Sequence, residues 1–255
     1  MNGDGAKVHA RLADRAAGPF VCFCCRSQVT LRRGAAKAAH FAHRPPVTCE
    51  YGQGESDEHR RAKEEIFAHL SRLPHVTKLE LERDLREVRP DVSCYVGGVP
   101  VAVEVQASSL SVERIARRTE EYARKGVYVL WLPLFTPKLL GELYDPRPWE
   151  RWLHAAYFGR VYYWAGGLRV RPVHFREYFS EARGRTKTYR RLSRRAVPLA
   201  GGEVDLARDF TRCDSEGWRG SGQTFPRMRL LVDTRPRWYW EGGVNWARRL
   251  GPHVA

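Results

Sequence analysis

The sequence predicts a mixed α/β fold, and three stretches carry that prediction. Residues 89–106 form two extended runs on either side of Gly97-Gly98, and such a turn favours a β-hairpin because two-residue turns need positive φ angles. Residues 111–126 have the apolar spacing of an amphipathic helix. Residues 127–132 are continuously apolar, which is typical of a buried strand in a parallel sheet. Strand, helix and parallel strand in this order form a right-handed crossover.

A further helix and strand are predicted before the hairpin. Ser56 suits the N-cap of a helix whose apolar residues recur at helical spacing up to about Arg72, and Pro74 ends it. Residues 76–82 alternate apolar and polar positions, as a strand with one buried face does. The predicted order is therefore helix, strand, hairpin, helix and strand, or αβββαβ.

The hairpin is expected to bring two acidic residues together. Pairing about the glycines sets Asp91 opposite Glu104, and Gln106 lies on the same face, while the other face is apolar. Two carboxylates about 5 Å apart at Cβ repel each other, and a hard divalent cation would reverse that effect. The pair is either a metal site or two acids on a solvated face. The apolar back face favours burial, and buried acids need a partner.

The strand before the hairpin offers further acids. Glu80 and Glu82 share the face opposite the apolar positions of residues 76–82. One of them could add a metal ligand, or both could solvate the strand.

Cysteines and histidines cluster near the N-terminus. Four of the six cysteines lie within residues 22–49 beside two histidines, which indicates an intracellular metal site rather than a disulfide framework. A structural Zn²⁺ site uses four ligands in a tetrahedron. The six candidates are Cys22, Cys24, Cys25, His40, His43 and Cys49. We favour Cys22, Cys25, His43 and Cys49, with His40 as the alternate; small buried cysteines with incidental histidines are the other interpretation.

The formal charge of +15 and the pI of about 9.9 predict a polyanionic partner. Residues 151–255 hold 21 of the 44 lysines and arginines but only 9 of the 29 acidic residues, so most of the excess charge lies there. The sequence has no apolar run long enough for a membrane span and no apolar core of a signal peptide. The expected location is the cytoplasm, with no membrane partner.

Aromatic and basic residues are interleaved from about residue 149 onwards. The aromatic cluster comprises Trp149, Trp152, Tyr157, Phe158, Tyr162, Tyr163 and Trp164, and a second cluster spans residues 235–240. The basic run includes Arg190, Arg191, Arg194 and Arg195. Because bases stack on rings and phosphates contact arginine, the mixture favours single-stranded nucleic acid. The alternative is a small aromatic core with a charged rim.

Several short motifs occur in a shared order between about residues 20 and 135. They are Ser56-Asp57-Glu58-His59 with Lys63, Arg89-Pro90-Asp91-Val92, Val103-Glu104-Val105-Gln106-Ala107-Ser108, and Arg118, Tyr122 and Trp131. Together with the N-terminal Cys-x-x-Cys and His-Phe-x-His, they resemble the competence protein CoiA-like nucleases, a branch of the PD-(D/E)XK superfamily. The resemblance implies a PD-(D/E)XK-like αβββαβ core at residues 55–135. The N-terminal zinc-knuckle subdomain would span 1–54, and a basic, aromatic-rich α+β extension that binds DNA would span 136–255.

The resemblance also implies an activity, the metal-dependent hydrolysis of DNA. The expected function is an endonuclease that processes single-stranded or branched DNA in natural transformation or recombination, with a recombinase as a candidate partner. Asp91, Glu104 and the backbone carbonyl of Val105 would hold Mg²⁺ or Mn²⁺. Glu58 and His59 would lie near the acid pair. Gln106 stands where the superfamily usually has lysine, and because an amide cannot take a proton, Gln106 can only orient water.

The remaining site residues are basic and are expected to contact phosphates. They are Lys63, Arg114 and Arg118, together with the four arginines of the basic run at 190–195. Two other functions fit the same sequence. One is a catalytically inactive DNA-binding factor that assists a recombinase. The other is an RNA-binding or RNA-processing protein, since no residue pattern in the sequence reports on a 2′-hydroxyl. A pure binder gains nothing from two carboxylates facing a polyanion, which favours the nuclease.

Overall fold

A computed structural model describes most of the chain, which divides into two compact units, residues 1–60 and 61–255. The described residues are 1–2, 5–6, 8–22, 25–34, 39–46, 49, 56–107, 110–141, 143–183, 188–198, 202–220 and 223–234. Side chains at 177–183, 188–195 and 198 are outside that description. The fold is mixed α/β, as predicted. The boundaries expected near residues 54 and 135 stay predictions.

The helices and strands follow one another as α1 to α3 and β1 to β15. In chain order they are β1 (Phe20–Val21), β2 (Gln28–Arg32), β3 (His40–His43), α1 (Asp57–Leu70), β4 (Val76–Leu81), β5 (Val92–Val96), β6 (Val99–Gln106), α2 (Val112–Arg124), β7 (Tyr128–Pro133), α3 (Pro148–Ala156), β8 (Val161–Trp164), β9 (Arg169–Arg183), β10 (Thr188–Pro198), β11 (Val204–Asp205), β12 (Phe210–Ser215), β13 (Trp218–Gly220), β14 (Gln223–Phe225) and β15 (Met228–Asp233). None of the described helices is long and apolar enough to cross a membrane.

The first unit is built on a small antiparallel sheet in the order β1-β2-β3. Residues of β2 alternate between exposed and buried, and Val29 and Leu31 pack with Ala13 and Phe20. A core this small contributes little free energy of folding, so a metal or another cross-link is expected to support it.

The second unit contains a six-stranded sheet in the order β12-β15-β7-β6-β5-β4. Along the chain, α1, β4, β5, β6, α2 and β7 follow the predicted αβββαβ order. The assignment of this core to the PD-(D/E)XK superfamily stays an expectation from the motifs. Two strands from beyond residue 200 extend the sheet, because β15 pairs parallel to β7 and β12 pairs antiparallel to β15.

The predicted register of the β5–β6 hairpin is confirmed. Val92 pairs with Val103, Cys94 with Val101 and Val96 with Val99. Gly97 and Gly98 have φ angles of 54° and 82°, the left-handed conformation that a two-residue hairpin turn requires.

The predicted crossover from β6 to β7 is also confirmed. Helix α2 begins after Ser111, whose side chain accepts a hydrogen bond from the Arg114 backbone N–H at 3.2 Å. Every residue of β7 is buried, and β7 runs parallel to β6. These elements place α2 over the strand that carries Glu104.

The aromatic residues from 149 to 164 form a core. Six of the seven rings named above are buried, namely Trp149, Trp152, Tyr157, Tyr162, Tyr163 and Trp164. The Tyr157 hydroxyl donates to the carbonyl of Val129 and accepts from the N–H of Trp131, so it joins this core to β7. The base-stacking interpretation is wrong for these six rings, because a base cannot reach a buried ring. The rings at 235–240 lie outside the described residues.

The hairpin turn yields a test of the fold. We expect Gly98→Ala to lower the free energy of unfolding by about 1–2 kcal/mol, because alanine is strained at positive φ while nothing near the added Cβ obstructs it. All eight tryptophans follow residue 130, so urea unfolding followed by their fluorescence reports on the second unit. Gly98→Asn is the matched control, since asparagine tolerates this conformation and should cost less. Equal stability of Gly98→Ala and the wild type would contradict the turn assignment.

Candidate active site and metal centre

Asp91 lies immediately before β5 and is held against the backbone of β6. Its Oδ2 accepts a hydrogen bond of 2.8 Å from the N–H of Val105, the residue after Glu104. Regular strand pairing stops at Val92 and Val103, one position short of the two acids. The Asp91 carboxylate therefore lies beside the peptide that follows Glu104, so the hairpin brings the two predicted acids to the same end of the sheet.

Glu104 is buried, with only 3% of its surface exposed. Burial raises the pKa of its carboxyl, the Arg118 guanidinium opposes this effect, and the nearby charge of Asp91 raises the pKa further. The repulsion predicted between the two acids is thus present in the folded chain. Any group that neutralises the pair would relieve it.

Two side chains of α2 hold the Glu104 carboxylate. Arg118 and Tyr122, one helical turn apart, both donate to Glu104 Oε1. Burial would lower the pKa of Arg118, but contact with Glu104 raises it; the pKa of Tyr122 is raised by burial and by the same carboxylate. Arg118 also donates to the carbonyl of Arg89 at 3.0 Å. The Arg-x-x-x-Tyr spacing on α2 thus serves to fix Glu104.

A lysine from α1 lies close to Asp91 and to a third carboxylate, that of Glu82. Lys63 is buried, and its Nζ donates to Glu82 Oε1 at 2.7 Å and lies 3.7 Å from Asp91 Oδ1. Arg89 pairs with the other oxygen of Glu82. Burial would raise the pKa of Glu82, but Lys63 and Arg89 together lower it to about 2. Glu82 is therefore ionised at neutral pH and fixes the lysine beside Asp91.

The six residues joined by these ion pairs are formally neutral together. They are three carboxylates and three cations, namely Glu82, Asp91, Glu104, Lys63, Arg89 and Arg118. Removing one member of a buried charged set leaves a charge without compensation and costs several kcal/mol.

Other predicted site residues occupy the ends of the same elements. Gln106 is buried at the end of β6. Glu58 and His59 are in the first turn of α1, Glu58 exposed and His59 half-buried, and Lys63 follows one turn later. Arg114 is half-buried, one turn before Arg118 on α2. The roles of these residues stay predictions.

Apart from Arg114, the predicted phosphate contacts fall into two groups. Lys63 and Arg118 are engaged by the carboxylates just described, so a phosphate would have to share them. The arginines at 190, 191, 194 and 195 belong to β10, and their side chains lie outside the described residues. Their binding of DNA stays a prediction.

The first unit contains a set of metal ligands. The ligand atoms of Cys22, Cys25, His43 and Cys49 all lie within 4.8 Å of one another. Sγ of Cys22 is 3.9 Å from Sγ of Cys49, and Sγ of Cys25 is 3.4 Å from Nε2 of His43. Tetrahedral zinc, with Zn–S of about 2.3 Å and Zn–N of about 2.0 Å, separates its ligands by roughly 3.5–3.8 Å. The four residues can therefore hold a metal such as zinc.

The preferred ligand set from the sequence matches this cluster. His43, rather than the alternate His40, joins the three cysteines, and Cys24 lies outside the described residues. Hydrogen bonds from Ser27 lower the pKa of the exposed Cys25 thiol to about 6, and a thiolate is the form that binds metal.

Sequence reasoning did not find the partners of the acids. It treated Arg118 and Lys63 as phosphate contacts, and it assigned no role to Arg89 or Tyr122. A usable signal was present, since a carboxylate predicted to be buried needs donors, and Arg118 and Tyr122 are spaced to offer two from one helix face.

The metal cluster predicts zinc content. Protein purified without chelators should carry about one equivalent of zinc, and Cys25→Ser should lose most of it because one of four ligands is removed. Cys24→Ser and His40→Ala are the matched controls and should keep their zinc. Atomic absorption measures the metal. Retention by Cys25→Ser, with loss in Cys24→Ser or His40→Ala, would contradict the ligand set.

The low pKa of Glu82 predicts how stability depends on pH. Because the pKa is about 2 in the fold against an ordinary 4.5, the ionised carboxylate stabilises the fold above about pH 4.5, and this is lost as the pH falls towards 2. With its side chain one-third exposed, we expect Glu82→Gln to cost about 1–3 kcal/mol at pH 7. Urea unfolding from pH 7 to 3.5 measures this. The difference in free energy of unfolding between the wild type and Glu82→Gln should become smaller as the pH falls. The exposed control Glu80→Gln should differ little from the wild type at any of these pH values.

Comparison with known proteins agrees with the order of these sites. A family model described as the competence protein CoiA nuclease-like domain matches residues 55–136, and a CoiA N-terminal domain model matches residues 5–52. The first match contains the acid cluster, and the second contains the cysteine and histidine ligands. Together the two models cover about half of the chain.

A curated relative agrees with both matches. The chain is 27% identical over 129 residues to competence protein CoiA of Bacillus subtilis (strain 168), and the alignment covers 50% of this chain and 34% of that protein. The match thus spans about a third of the relative's length. No solved structure matches. On these matches, the chain belongs to the CoiA family of competence proteins.

Proposed function

We propose that this chain is a metal-dependent DNA endonuclease whose acid pair is Asp91 and Glu104. The observation that carries the proposal is the hydrogen bond from the Val105 N–H to Asp91, which holds one carboxylate beside the other. Glu104 is buried, and its pKa is raised by burial and by Asp91. A pure DNA-binding surface would gain nothing from two such acids near a polyanion, whereas a cation site requires them.

The donor set fits a hard divalent ion. Asp91, Glu104 and the backbone carbonyl of Val105 offer only oxygen atoms, and oxygen donors suit Mg²⁺ or Mn²⁺. A bound ion of this kind would polarise the scissile phosphate and lower the pKa of the attacking water. Arg118 and Tyr122 would keep Glu104 in place, because both already donate to its Oε1.

Lys63 offers the positive charge that Gln106 cannot supply. The lysine is buried, fixed by Glu82 at 2.7 Å, and close to Asp91. In our proposal its ammonium donates to a phosphate oxygen or to the attacking water beside Asp91. Gln106, a neutral amide, orients water and transfers no proton.

DNA is the substrate that the charge and the family favour. The net charge of +15 suits a polyanion. The matched relative is named for competence, so we place the activity in the processing of single-stranded or branched DNA during transformation or recombination, with a recombinase as partner. Thiolate zinc ligands suit a reducing compartment, which is consistent with action in the cytoplasm.

A second function is favoured by the charge balance of the cluster. Lys63, Arg89 and Arg118 already offset the charge of the three carboxylates they contact, without a metal. The same fold could then serve as a catalytically inactive DNA-binding accessory factor.

Cleavage assays test the nuclease proposal. Labelled single-stranded, duplex and branched DNA are incubated with wild-type protein and Mg²⁺ or Mn²⁺. Asp91→Asn and Glu104→Gln should each lower the rate by about 100-fold or more, since each removes a charged metal ligand. Glu120→Gln, a partly exposed residue paired with Arg124 on α2, is the matched control and should keep the wild-type rate.

DNA binding by the same variants separates the two functions. The nuclease proposal expects Asp91→Asn and Glu104→Gln to bind DNA while failing to cut it. If the wild type also binds without cutting under every metal condition, the accessory function replaces the nuclease.

A further inference from the structure

Strands β9 and β10 form a long two-stranded ribbon. They pair antiparallel over eleven positions, from Val173–Pro198 to Arg183–Thr188. The other neighbours of β9, which are β8 and β11, pair only with its residues 169–173. From residue 174 onwards β9 therefore pairs with β10 alone among the described strands.

At its base the ribbon packs on the protein through Phe175 on one face and, on the other, through His174, whose Nδ1 lies 2.7 Å from the carbonyl oxygen of Gly159. Phe175 and Ala196 are paired and buried, and the Phe175 ring stacks on Tyr144 with centroids 5.6 Å apart. The next residue, Arg176, is exposed. Because successive residues of a strand alternate between faces, the register assigns every later position to a packed face, which includes Phe175, or an open face, which includes Arg176.

On the packed face, two of the three arginines lie opposite glutamates, and the third, Arg183, lies opposite Thr188. Glu177 is paired in register with Arg194, and Glu181 is paired with Arg190. Opposite charges directly across an antiparallel pair stabilise each other. The register thus places an acidic residue opposite each of these two arginines.

Charges on the open face have no such match. Its eight positions beyond the base are Arg176, Tyr178, Ser180, Ala182, Tyr189, Arg191, Ser193 and Arg195, and none is acidic. Arg176 and Arg195 are directly opposite each other, an arrangement that is destabilising unless an anion lies between them.

We propose that the open face binds the phosphodiester backbone of DNA through Arg176, Arg191 and Arg195. The inference rests on the proposed function in taking DNA as the polyanion. Eight residues at about 3.4 Å each make the ribbon about 27 Å long, enough to follow several phosphates. A two-stranded ribbon also fits the major groove of B-DNA. In this proposal the basic run divides into Arg191 and Arg195, which bind DNA, and Arg190 and Arg194, whose register positions lie opposite glutamates.

Two double variants with the same change in charge test this division. Arg191→Ala/Arg195→Ala is compared with Arg190→Ala/Arg194→Ala, both in an Asp91→Asn background without divalent ions, so that no DNA is cut. Affinity for labelled duplex and single-stranded DNA is measured between about 50 and 200 mM salt. The open-face variant Arg191→Ala/Arg195→Ala should weaken DNA binding about tenfold or more. It should also flatten the slope of log K against log salt by about 1.8 for duplex, or about 1.4 for single strands.

The packed-face variant Arg190→Ala/Arg194→Ala should flatten the slope of log K against log salt by less than half as much. Arg191→Lys/Arg195→Lys should keep most of the wild-type affinity, because lysine retains the positive charge. Thermal unfolding of each variant checks that the fold persists. Equal losses in the two doubles on both DNAs, or a larger loss in the packed-face double, would overturn the inference. Cleavage by the wild type is scored separately. If the wild type cleaves DNA but the two double variants lose affinity equally, only this inference is wrong. If the double variants differ but the wild type does not cleave DNA, only the nuclease proposal is wrong.

Discussion

The burial of Glu104 is the constraint on which the second unit depends. An ionised carboxylate in the middle of a sheet costs several kcal/mol unless donors surround it. Arg118 and Tyr122 supply those donors from one face of α2, so the helix must lie over β6 in a single register. The Trp131 indole donates to Thr119 between them, which fixes the same helix to β7. The need of buried Glu104 for hydrogen-bond donors thus fixes the position of α2 as well as the orientation of the carboxylate.

The same interactions give the acids of the site different pKa values. The charges of Lys63 and Arg89 hold the pKa of Glu82 at about 2, whereas burial and Asp91 raise the pKa of Glu104. The two acids therefore differ in how readily they take a proton. Glu82 stays ionised and anchors Lys63, while Glu104 accepts a proton more readily than an ordinary glutamate does. A divalent ion would compete with that proton and relieve the repulsion from Asp91.

The sequence predicted the features that depend on residues close together in the chain. The hairpin register follows from Gly97-Gly98 and from strict alternation, both of which act over a few residues. The pairing of Lys63 with Glu82 depends on how α1 packs on β4, which no short pattern encodes. Composition also failed to separate a stacking surface from a core: Trp152 could serve either, and its burial is decided by strands far along the chain.

The position of β15 changes how the C-terminal half should be understood. The nuclease-like match ends at residue 136, yet β15 lies next to β7 in the sheet and β12 covers the far side of β15. Without them, β7 would be an edge strand with unpaired backbone groups and a fully buried sequence, a combination that promotes aggregation. Loss of DNA binding after removal of the C-terminal half would therefore not identify a binding segment, because the acid cluster would lose its supporting sheet. Only substitutions within an intact sheet, such as those on the two faces of the β9–β10 ribbon, separate binding from folding.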